Sequence, residues 1–240
     1  MRYKLPKESN ELVLLQRTSL IKDSRSKLIK RLSRIGLGKS YEEMVKEQSL
    51  KNNDQISNDY YAEIKKVFIN IKNHIPMNTK SILDIGSGLA GLEVFLWFLL
   101  GKNYPKIYLL DKTKKEEKIW YEFKTNGAFY NSLDLAKQNL ISNGVRSSKI
   151  NLIEAPDNGI IKEIRNIDLV ISTISWGFHY PVELYLDSVI SIMSKRGVLI
   201  LDIRKNTGGL EALTSKFKAI YIIKNEKKYL TVKLLKADVR

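Results

Sequence analysis

The chain has 240 residues, of which 43% are hydrophobic and 28% charged, so it can form one well-packed α/β domain with a small additional segment. Cysteine is absent and only His74 and His179 supply imidazoles, which excludes disulfides, thiolate-bound metals and a histidine-rich metal site. The formal net charge of +15 at pH 7 favours an anionic partner, although a general richness in lysine would give the same value.

Residues 1–77 are predicted to form a basic helical extension. Apolar residues recur at roughly helical spacing from Glu8 to Arg34. Between Arg17 and Lys39, eight basic residues accompany a single acid. This pattern fits a basic amphipathic helix that rests on an anionic membrane surface or on the phosphates of a substrate, or else a solvated helix face.

Two further helices are predicted within this extension. Ser40 to Glu43 has the form of a capping box, and a longer helix is expected from about Asp59 to His74, ending before Pro76. The extension could cap a pocket or build a dimer, and periodicity does not separate these alternatives. The oligomeric state is left open.

No apolar run reaches the roughly 18 residues needed to cross a bilayer, and the residues after Met1 lack the apolar core of a signal peptide. We therefore expect a cytoplasmic protein. A membrane contact through the basic extension would place it at the inner face of a membrane.

From residue 78 to residue 240, predicted strands and helices alternate, which indicates a parallel sheet covered by helices. The last two strands are joined by a link that is too short for a parallel crossover, so they form an antiparallel hairpin. The prediction is an α/β fold with a doubly wound, mostly parallel seven-stranded sheet. The strand candidates are Ser81–Asp84, Ile107–Asp111, Ile150–Ile153, Asp168–Thr173, Val198–Asp202, Ala219–Ile223 and Tyr229–Leu235.

A glycine-rich turn follows the first strand. Residues 81–91 read as a buried strand, a G-x-G-x-x-G turn and the start of an apolar helix. The glycines allow the backbone to approach a ligand closely, and the helix start offers free amides. Asp84 lies two residues before the first glycine, where nicotinamide enzymes usually have an apolar or small residue. A nicotinamide or flavin site is the alternative interpretation.

The segment Ile82-Leu83-Asp84-Ile85-Gly86-Ser87-Gly88 resembles the first motif of class I S-adenosylmethionine-dependent methyltransferases, and the resemblance extends over residues 80–235. It implies S-adenosyl-L-methionine as the cofactor, with Asp84 near its methionine end. The turn residues implied to bind the cofactor are Gly86, Ser87, Gly88 and Gly91.

Asp111 ends the second strand, 27 positions after Asp84. A carboxylate there can accept both hydroxyls of an adenosine ribose, and the resemblance implies this role. Lys112 follows it and is included in the predicted cofactor site, as is Ser172 at the end of the fourth strand.

The third strand leads into Ala155-Pro156-Asp157. Members of the resembled family often have an acid here that binds the adenine amino group. Ala155 and Asp157 are therefore predicted to lie on the adenine side, with the contact made by the Asp157 side chain or by backbone.

The loop from Ser172 to Pro181 is expected to face the transferred methyl group, because open α/β sheets bind ligands outside the carboxyl ends of their strands. His179 is the predicted catalytic residue, a general base that takes a hydroxyl proton, with hydrogen bonding that fixes the loop as the alternative. Trp176 and Tyr180 are predicted to line the acceptor pocket.

An aromatic-rich segment runs from Lys112 to Asn131. It would form a lid over the substrate or pack against the helical extension. Tyr130 and Asn131 are predicted to bind the acceptor, and together with residues 176–181 they resemble methyltransferases of sugar or polysaccharide pathways.

The leading hypothesis is O-methylation of a small polar acceptor such as a sugar, a glycan end or a phosphate-bearing precursor, without a metal. No Asp-Pro-Pro-Tyr-type motif is present, which disfavours methylation of adenine N6, and the lack of cysteine excludes the thiol-dependent route to cytosine C5. One alternative is an RNA methyltransferase, for which a charge of +15 is expected. The other is a non-catalytic binding protein with the same fold.

Overall fold

The computed structural model of the chain describes residues 3–21, 41–115, 130–162 and 164–236. Three features discussed above lie outside these residues: the Ser40 cap, most of the basic stretch between Arg17 and Lys39, and the aromatic residues between 116 and 129.

Nine strands occur in the described residues, and seven of them form the central sheet. They are β1 (Ser81–Ile85), β2 (Lys106–Asp111), β3 (Lys114–Lys115), β4 (Tyr130–Asn131), β5 (Ile150–Glu154), β6 (Ile167–Ser172), β7 (Met193–Arg204), β8 (Phe217–Asn225) and β9 (Tyr229–Lys236). The sheet has the order β5-β2-β1-β6-β7-β9-β8, while β3 and β4 form a separate antiparallel pair. The first five strands of the sheet run parallel, and β9 is antiparallel to β7 and β8. The predicted fold class is confirmed.

The β7 strand begins five residues before its predicted start at Val198, because the preceding helix ends at Ile192 and Met193 is already extended. Its first residues do not belong to the apolar run from which the strand was predicted, since Lys195 and Arg196 are exposed to solvent.

Seven α-helices accompany the sheet in the described part of the chain. They are α1 (Asn10–Gln16), α2 (Tyr41–Lys51), α3 (Asn53–Ile71), α4 (Gly91–Leu99), α5 (Leu133–Ser142), α6 (Glu183–Ile192) and α7 (Gly209–Thr214). Short 3-10 turns occur at Lys7–Ser9, Thr18–Leu20, Lys72–His74 and Ser147–Lys149. None of the described helices is both long and apolar enough to span a bilayer.

The first helix is shorter than predicted. α1 ends at Gln16, and Arg17 has φ −129° and ψ 71°, which takes the chain out of the helical path. Thr18 and Ser19 favour such an exit, because their hydroxyls compete for backbone hydrogen bonds. The chain then makes a 3-10 turn instead of continuing the helix.

The sheet has a hydrophobic core on each face. Side chains that alternate along a strand point to opposite faces, so Ile82 belongs to one core and its neighbour Leu83 to the other. The core around Ile82 also contains side chains of α1 and α3, such as Leu15 and Tyr60, together with those of α4 and α5. The helical extension therefore packs on the same face of the sheet as α4.

Two buried asparagines of α5 attach the N-terminal residues to this face. Asn139 Nδ2 donates to the Tyr3 hydroxyl at 2.8 Å and to the Leu89 carbonyl at 2.6 Å. Asn143 Oδ1 accepts from the Lys4 amide at 2.9 Å, and Asn143 Nδ2 donates to the Lys4 carbonyl at 2.7 Å. Buried amides with these partners fix the position of the chain that leads into α1.

Candidate active site

A cavity of about 510 Å³ lies at the carboxyl ends of β1, β2 and β6. Its floor is the glycine turn after β1, and one wall comes from the loop between β6 and α6. The opposite wall comes from the N-terminal extension. The lining residues of the extension are Leu15, Gln16, Arg17, Thr18, Tyr60 and Ile64.

The glycine turn depends on left-handed backbone conformations. Gly86 has φ +75° and Gly88 has φ +54°. A Cβ atom on Gly86 would lie 1.8 Å from Ser175 Oγ, so the turn and the loop after β6 meet where only glycine fits. Gly88 N donates to Asp111 Oδ2 at 2.8 Å, which links the turn to the end of β2.

Asp84, at the end of β1, lines the cavity and is almost fully buried. Burial and the neighbouring Glu93 carboxyl raise the pKa of Asp84 well above its ordinary value. Among the described residues, no hydrogen-bond partner reaches Asp84 Oδ1 or Ser87 Oγ. Buried polar atoms without a partner are costly, so both atoms are available to a ligand.

Asp111 also lines the cavity, at the end of β2. Its carboxylate accepts from Gly88 N and from its neighbour Lys112 N, the latter at 2.7 Å. Burial raises the pKa of Asp111 to about 7, and the two backbone hydrogen bonds oppose this shift. Each carboxylate oxygen has a second lone pair, so Asp111 can still accept hydroxyl groups.

The predicted adenine-side residues lie together. Ala155, Asp157 and Lys112 all line the cavity. Ala155 N donates to the Asp111 carbonyl at 2.9 Å, and the Lys112 ammonium forms an ion pair with Asp157. Asp157 is highly exposed, so this side of the cavity opens to solvent.

The extension supplies side chains that sequence reasoning missed. The Tyr60 hydroxyl lies against the start of α4, where a Cβ on Gly91 would be 2.6 Å from it, and it accepts from the Gly91 amide. Gln16 covers Gly88, whose added Cβ would lie 3.0 Å from Gln16 Oε1. Arg17 stands over the Tyr60 ring at 5.7 Å from its centroid. Helical periodicity identified α3 as amphipathic but gave no sign of which element it covers.

Of the two residues predicted to bind an acceptor at β4, Asn131 lines the cavity and lies beside Asp111. It is 5% exposed, and its Oδ1 accepts from Gln16 Nε2 at 3.4 Å. The side chain of Tyr130 lies outside the described part of the structure. Asn131 therefore lies at the Asp111 end of the cavity and meets the helical extension there.

The loop after β6 forms the other end of the cavity. Ile174 has φ +53°, an unfavourable conformation for a β-branched residue. Its amide donates to Asp202 Oδ2 at 3.1 Å, and Thr231 donates to Asp202 Oδ1 at 2.5 Å. Burial raises the pKa of Asp202 to about 6, against the effect of these hydrogen bonds. The ends of β7 and β9 thus hold the loop in a strained shape.

His179 and Tyr180 line this end. Burial, and then the positive charge of Arg204, lower the pKa of His179 below its ordinary value of 6.5, so the imidazole is neutral at pH 7. The Tyr180 hydroxyl is 3.3 Å from Ser175 Oγ, and burial raises its pKa, so it stays protonated.

Two predicted site residues do not line the cavity. Ser172 is fully buried, donates to the Ile85 carbonyl at 2.7 Å and accepts from Trp176 N at 3.0 Å. Trp176 is fully buried too, and its Nε1 donates to the Val182 carbonyl at 2.8 Å. The structure therefore places neither the Ser172 side chain in the predicted cofactor site nor the Trp176 side chain in the predicted acceptor pocket. Both residues join the core on the α6 side and shape the loop from inside.

Within the described residues, no group of three or more His, Asp or Glu side chains is arranged to hold a metal ion. The polar groups of the cavity are carboxylates, amides, hydroxyls, one imidazole, the Arg17 guanidinium and the Lys112 ammonium.

No known family model matches the chain, and no curated protein is similar in sequence. Solved structures with the same fold include a provisionally assigned O-methyltransferase from Nostoc punctiforme, at 13% identity and a TM-score of 0.54, covering 75% of this chain and 58% of that one. A SAM-dependent O-methyltransferase from Thermotoga maritima has 14% identity and a TM-score of 0.51, covering 73% and 66%. A SAM-dependent methyltransferase from Aquifex aeolicus has 12% identity and a TM-score of 0.51, covering 74% and 98%.

The chain thus spans less than two thirds of the length of the Nostoc and Thermotoga proteins. At these identities the likeness defines the fold. The chain shares the Rossmann-like α/β fold of these solved structures.

Proposed function

We propose that the chain is an S-adenosylmethionine-dependent methyltransferase that methylates a hydroxyl group of a small polar acceptor. The observation that carries this proposal is the convergence of Asp84, the Gly86–Gly88 turn and Asp111 on one cavity at the carboxyl ends of β1 and β2. The shared fold adds support.

The residues of the cavity fit the cofactor. Gly86, Ser87 and Gly88 line the cavity, so an adenosyl group can lie against the backbone of the turn. Asp84 Oδ1, buried without a partner among the described residues, suits the ammonium of the methionine part. Asp111 suits the ribose hydroxyls, and Ala155 and Lys112 lie where the adenine would reach. The bound cofactor supplies a methyl group made electrophilic by its sulfonium.

The helical extension acts as a cap in this proposal. Gln16, Arg17 and Tyr60 lie over the glycine turn and the start of α4, between the cofactor end and solvent. A cap excludes water and fixes the donor relative to the acceptor, which is most of what an in-line methyl transfer requires.

His179 serves as the general base. Its neutral imidazole takes the proton of the acceptor hydroxyl while the oxygen attacks the methyl group. The hydroxyls of Ser175 and Tyr180 face the same end of the cavity and orient the acceptor. Because burial keeps Tyr180 protonated, it remains a hydrogen-bond donor.

The acceptor is small or presents only one end to the site, since a cavity of about 510 Å³ must also hold the cofactor. The positive charge of Arg204 near His179 favours an acceptor with a negative charge. A sugar phosphate or a phosphate-bearing glycan precursor meets both conditions.

Calorimetry with S-adenosylhomocysteine tests the cofactor assignment. The wild-type chain should bind S-adenosylhomocysteine and should not bind NADH. Asp111→Asn should weaken the binding of S-adenosylhomocysteine by about 100-fold, because two hydrogen bonds to a charged acceptor are lost. Failure of the wild-type chain to bind S-adenosylhomocysteine would contradict the cofactor assignment and with it the proposed function.

The acceptor is identified by transfer of a labelled methyl group to sugars, sugar phosphates and RNA. Labelling of a sugar phosphate supports the proposed acceptor class. Labelling of RNA, with binding that falls steeply as salt rises, would replace it by the RNA alternative.

A further inference from the structure

Glu93 lies in the first turn of α4 and is fully buried, although it does not line the cavity. Its neighbours in the helix are the apolar side chains of Leu92 and Val94. A carboxyl group in such surroundings costs free energy that an apolar residue of similar size would avoid. Neither the fold nor the mechanism above explains why an acid is here.

The carboxyl group of Glu93 faces that of Asp84, within reach of a hydrogen bond between them. No donor of another described residue reaches either Glu93 oxygen or Asp84 Oδ1. Two carboxylates in contact without donors repel each other, so the pair is stable only when a proton lies between them. Burial raises the pKa of both groups, which retains that proton at neutral pH.

The groups around this pair come from several elements. Tyr60 of α3 and Tyr3 of the N-terminal segment interact electrostatically with Glu93, and Tyr60, Asp111 and Tyr180 interact electrostatically with Asp84. Burial raises the pKa of Tyr60 to about 12, and it also raises that of Tyr3, so both phenols stay neutral.

Arg17 is a cation that acts on the tyrosines around this pair. Its charge acts on Tyr3 and Tyr60, and Nη1 lies 3.8 Å from Glu63. The Asp84–Glu93 pair therefore has no direct cationic partner among the described residues, and the side of Asp84 that faces the cavity is open to one.

We propose that Glu93 is the proton partner of Asp84: it takes the shared proton when the ammonium of the cofactor's amino-acid part binds at Asp84, which then meets the ammonium as a carboxylate. This inference rests on the proposed function, because it assumes an aminoacyl nucleoside in the cavity. The proton moves from one carboxyl oxygen to the other, and the pair keeps one negative charge, which matches the ammonium. Glu93 is thus a positioning residue that acts through Asp84.

Two substitutions separate this role from simple packing. In Glu93→Gln, the amide has the same shape and always donates to Asp84, as a protonated Glu93 would. In Glu93→Leu, the volume is kept but the donor is lost, so a charged Asp84 is buried without support. Removing a buried acid in favour of leucine tends to stabilise a fold, and both variants are expected to fold.

The test compares S-adenosylhomocysteine with 5′-methylthioadenosine, which lacks the amino-acid part, by calorimetry between pH 5 and pH 8. Both ligands contact Asp111, so the ratio of their affinities isolates the Asp84 end of the site. Glu93→Leu should lose about tenfold or more in affinity for S-adenosylhomocysteine and keep its affinity for 5′-methylthioadenosine. Glu93→Gln should keep the wild-type preference within about threefold at pH 7.

The pH dependence provides a readout that packing alone would not change. In the wild-type chain, the preference for S-adenosylhomocysteine should fall on acidification, because a second proton on the pair must leave before the ammonium binds. In Glu93→Gln the pH of this fall should shift, since a single carboxyl that accepts from an amide ionises at a different pH from a pair that shares a proton.

The inference would be overturned if Glu93→Leu kept the wild-type affinities for both ligands. It would also be overturned if the preference for S-adenosylhomocysteine fell at the same pH in the wild-type chain and in Glu93→Gln. Loss of binding of both ligands by the wild-type chain would instead overturn the proposed function, so the two failures are distinguishable.

Discussion

The two ends of the cavity are built in different ways. At the cofactor end, short hydrogen bonds join consecutive elements of one unit, β1, the glycine turn and β2, as in the bond from Gly88 N to Asp111. At the acceptor end, a single loop is held by residues far along the chain, since Asp202 of β7 and Thr231 of β9 fix Ile174. The floor of the cavity at the ends of β1 and β2 is therefore set by consecutive elements of the chain, whereas the loop after β6 depends on the completed sheet.

The largest effect is expected where the two ends touch. Gly86→Ala should lower the free energy of unfolding by about 3 kcal/mol, because φ is +75° and the new Cβ would meet Ser175 Oγ at 1.8 Å. Gly208→Ala is the matched control, with φ +78° and no atom within 4 Å, and should cost only about 1 kcal/mol. If denaturant unfolding showed the same loss of unfolding free energy for Gly86→Ala and Gly208→Ala, the glycine turn and the loop after β6 would not be in close contact.

Catalysis should depend on the acceptor end alone. His179→Ala should reduce turnover by about 100-fold and leave the affinity for S-adenosylhomocysteine nearly unchanged. His74→Ala, which alters the other histidine at a site away from the cavity, is the control and should retain turnover. Turnover in the wild-type chain should fall only below pH 6.5, since the pKa of His179 is lowered from that value. Undiminished turnover in His179→Ala would refute its role as the base.

A substitution remote from the cofactor should also act on the acceptor end. Thr231→Val removes the hydroxyl that donates to Asp202 and should destabilise the fold by about 2 kcal/mol, because a buried carboxylate oxygen loses its partner. Turnover should fall more than cofactor affinity does. Thr214→Val, which removes an exposed hydroxyl, should change neither. If cofactor affinity fell as much as turnover, the proposed independence of the two ends would be wrong.

The smallest effect concerns stability and pH. The pKa of Asp111 is raised to about 7 in the folded chain, so its contribution to stability is full below its unfolded pKa and is lost as pH rises through 7. Unfolding in denaturant without cofactor should show lower stability at pH 8 than at pH 5. Asp111→Asn should reduce that difference by about 1–2 kcal/mol. If Asp111→Asn kept the wild-type difference in stability between pH 5 and pH 8, water would already solvate the Asp111 carboxylate in the folded chain.

The same contrast explains what the sequence could predict. The positions of Gly86, Gly88 and Asp111 follow from one strand, one turn and the next strand, and the structure brings them together at one cavity. The pairing of β8 with β9 also followed, from the short link between them.

The errors have a common physical cause. Ser172 and Trp176 were placed in the site because their loop lies at the right edge of the sheet, but a loop has no regular alternation that tells inward from outward side chains. Gln16 and Tyr60 were missed because periodicity describes a helix's own apolar face and not the element it packs against. Such contacts between distant segments are set only by tertiary packing.

The attachment of the N-terminal segment to α5 has a consequence for biosynthesis. Lys4 bonds to Asn143, 139 positions later, so the segment around Lys4 cannot make these bonds until Asn143, just after α5, has been translated. At 5–20 residues per second, that interval is roughly 7–28 s. During it, the apolar stretch Leu12–Leu15, which is buried in the finished protein, is exposed on the nascent chain. Chaperones that shield emerging apolar segments should therefore raise the yield of this protein, because the helical extension cannot complete its packing on α5 while the chain between them is still being translated.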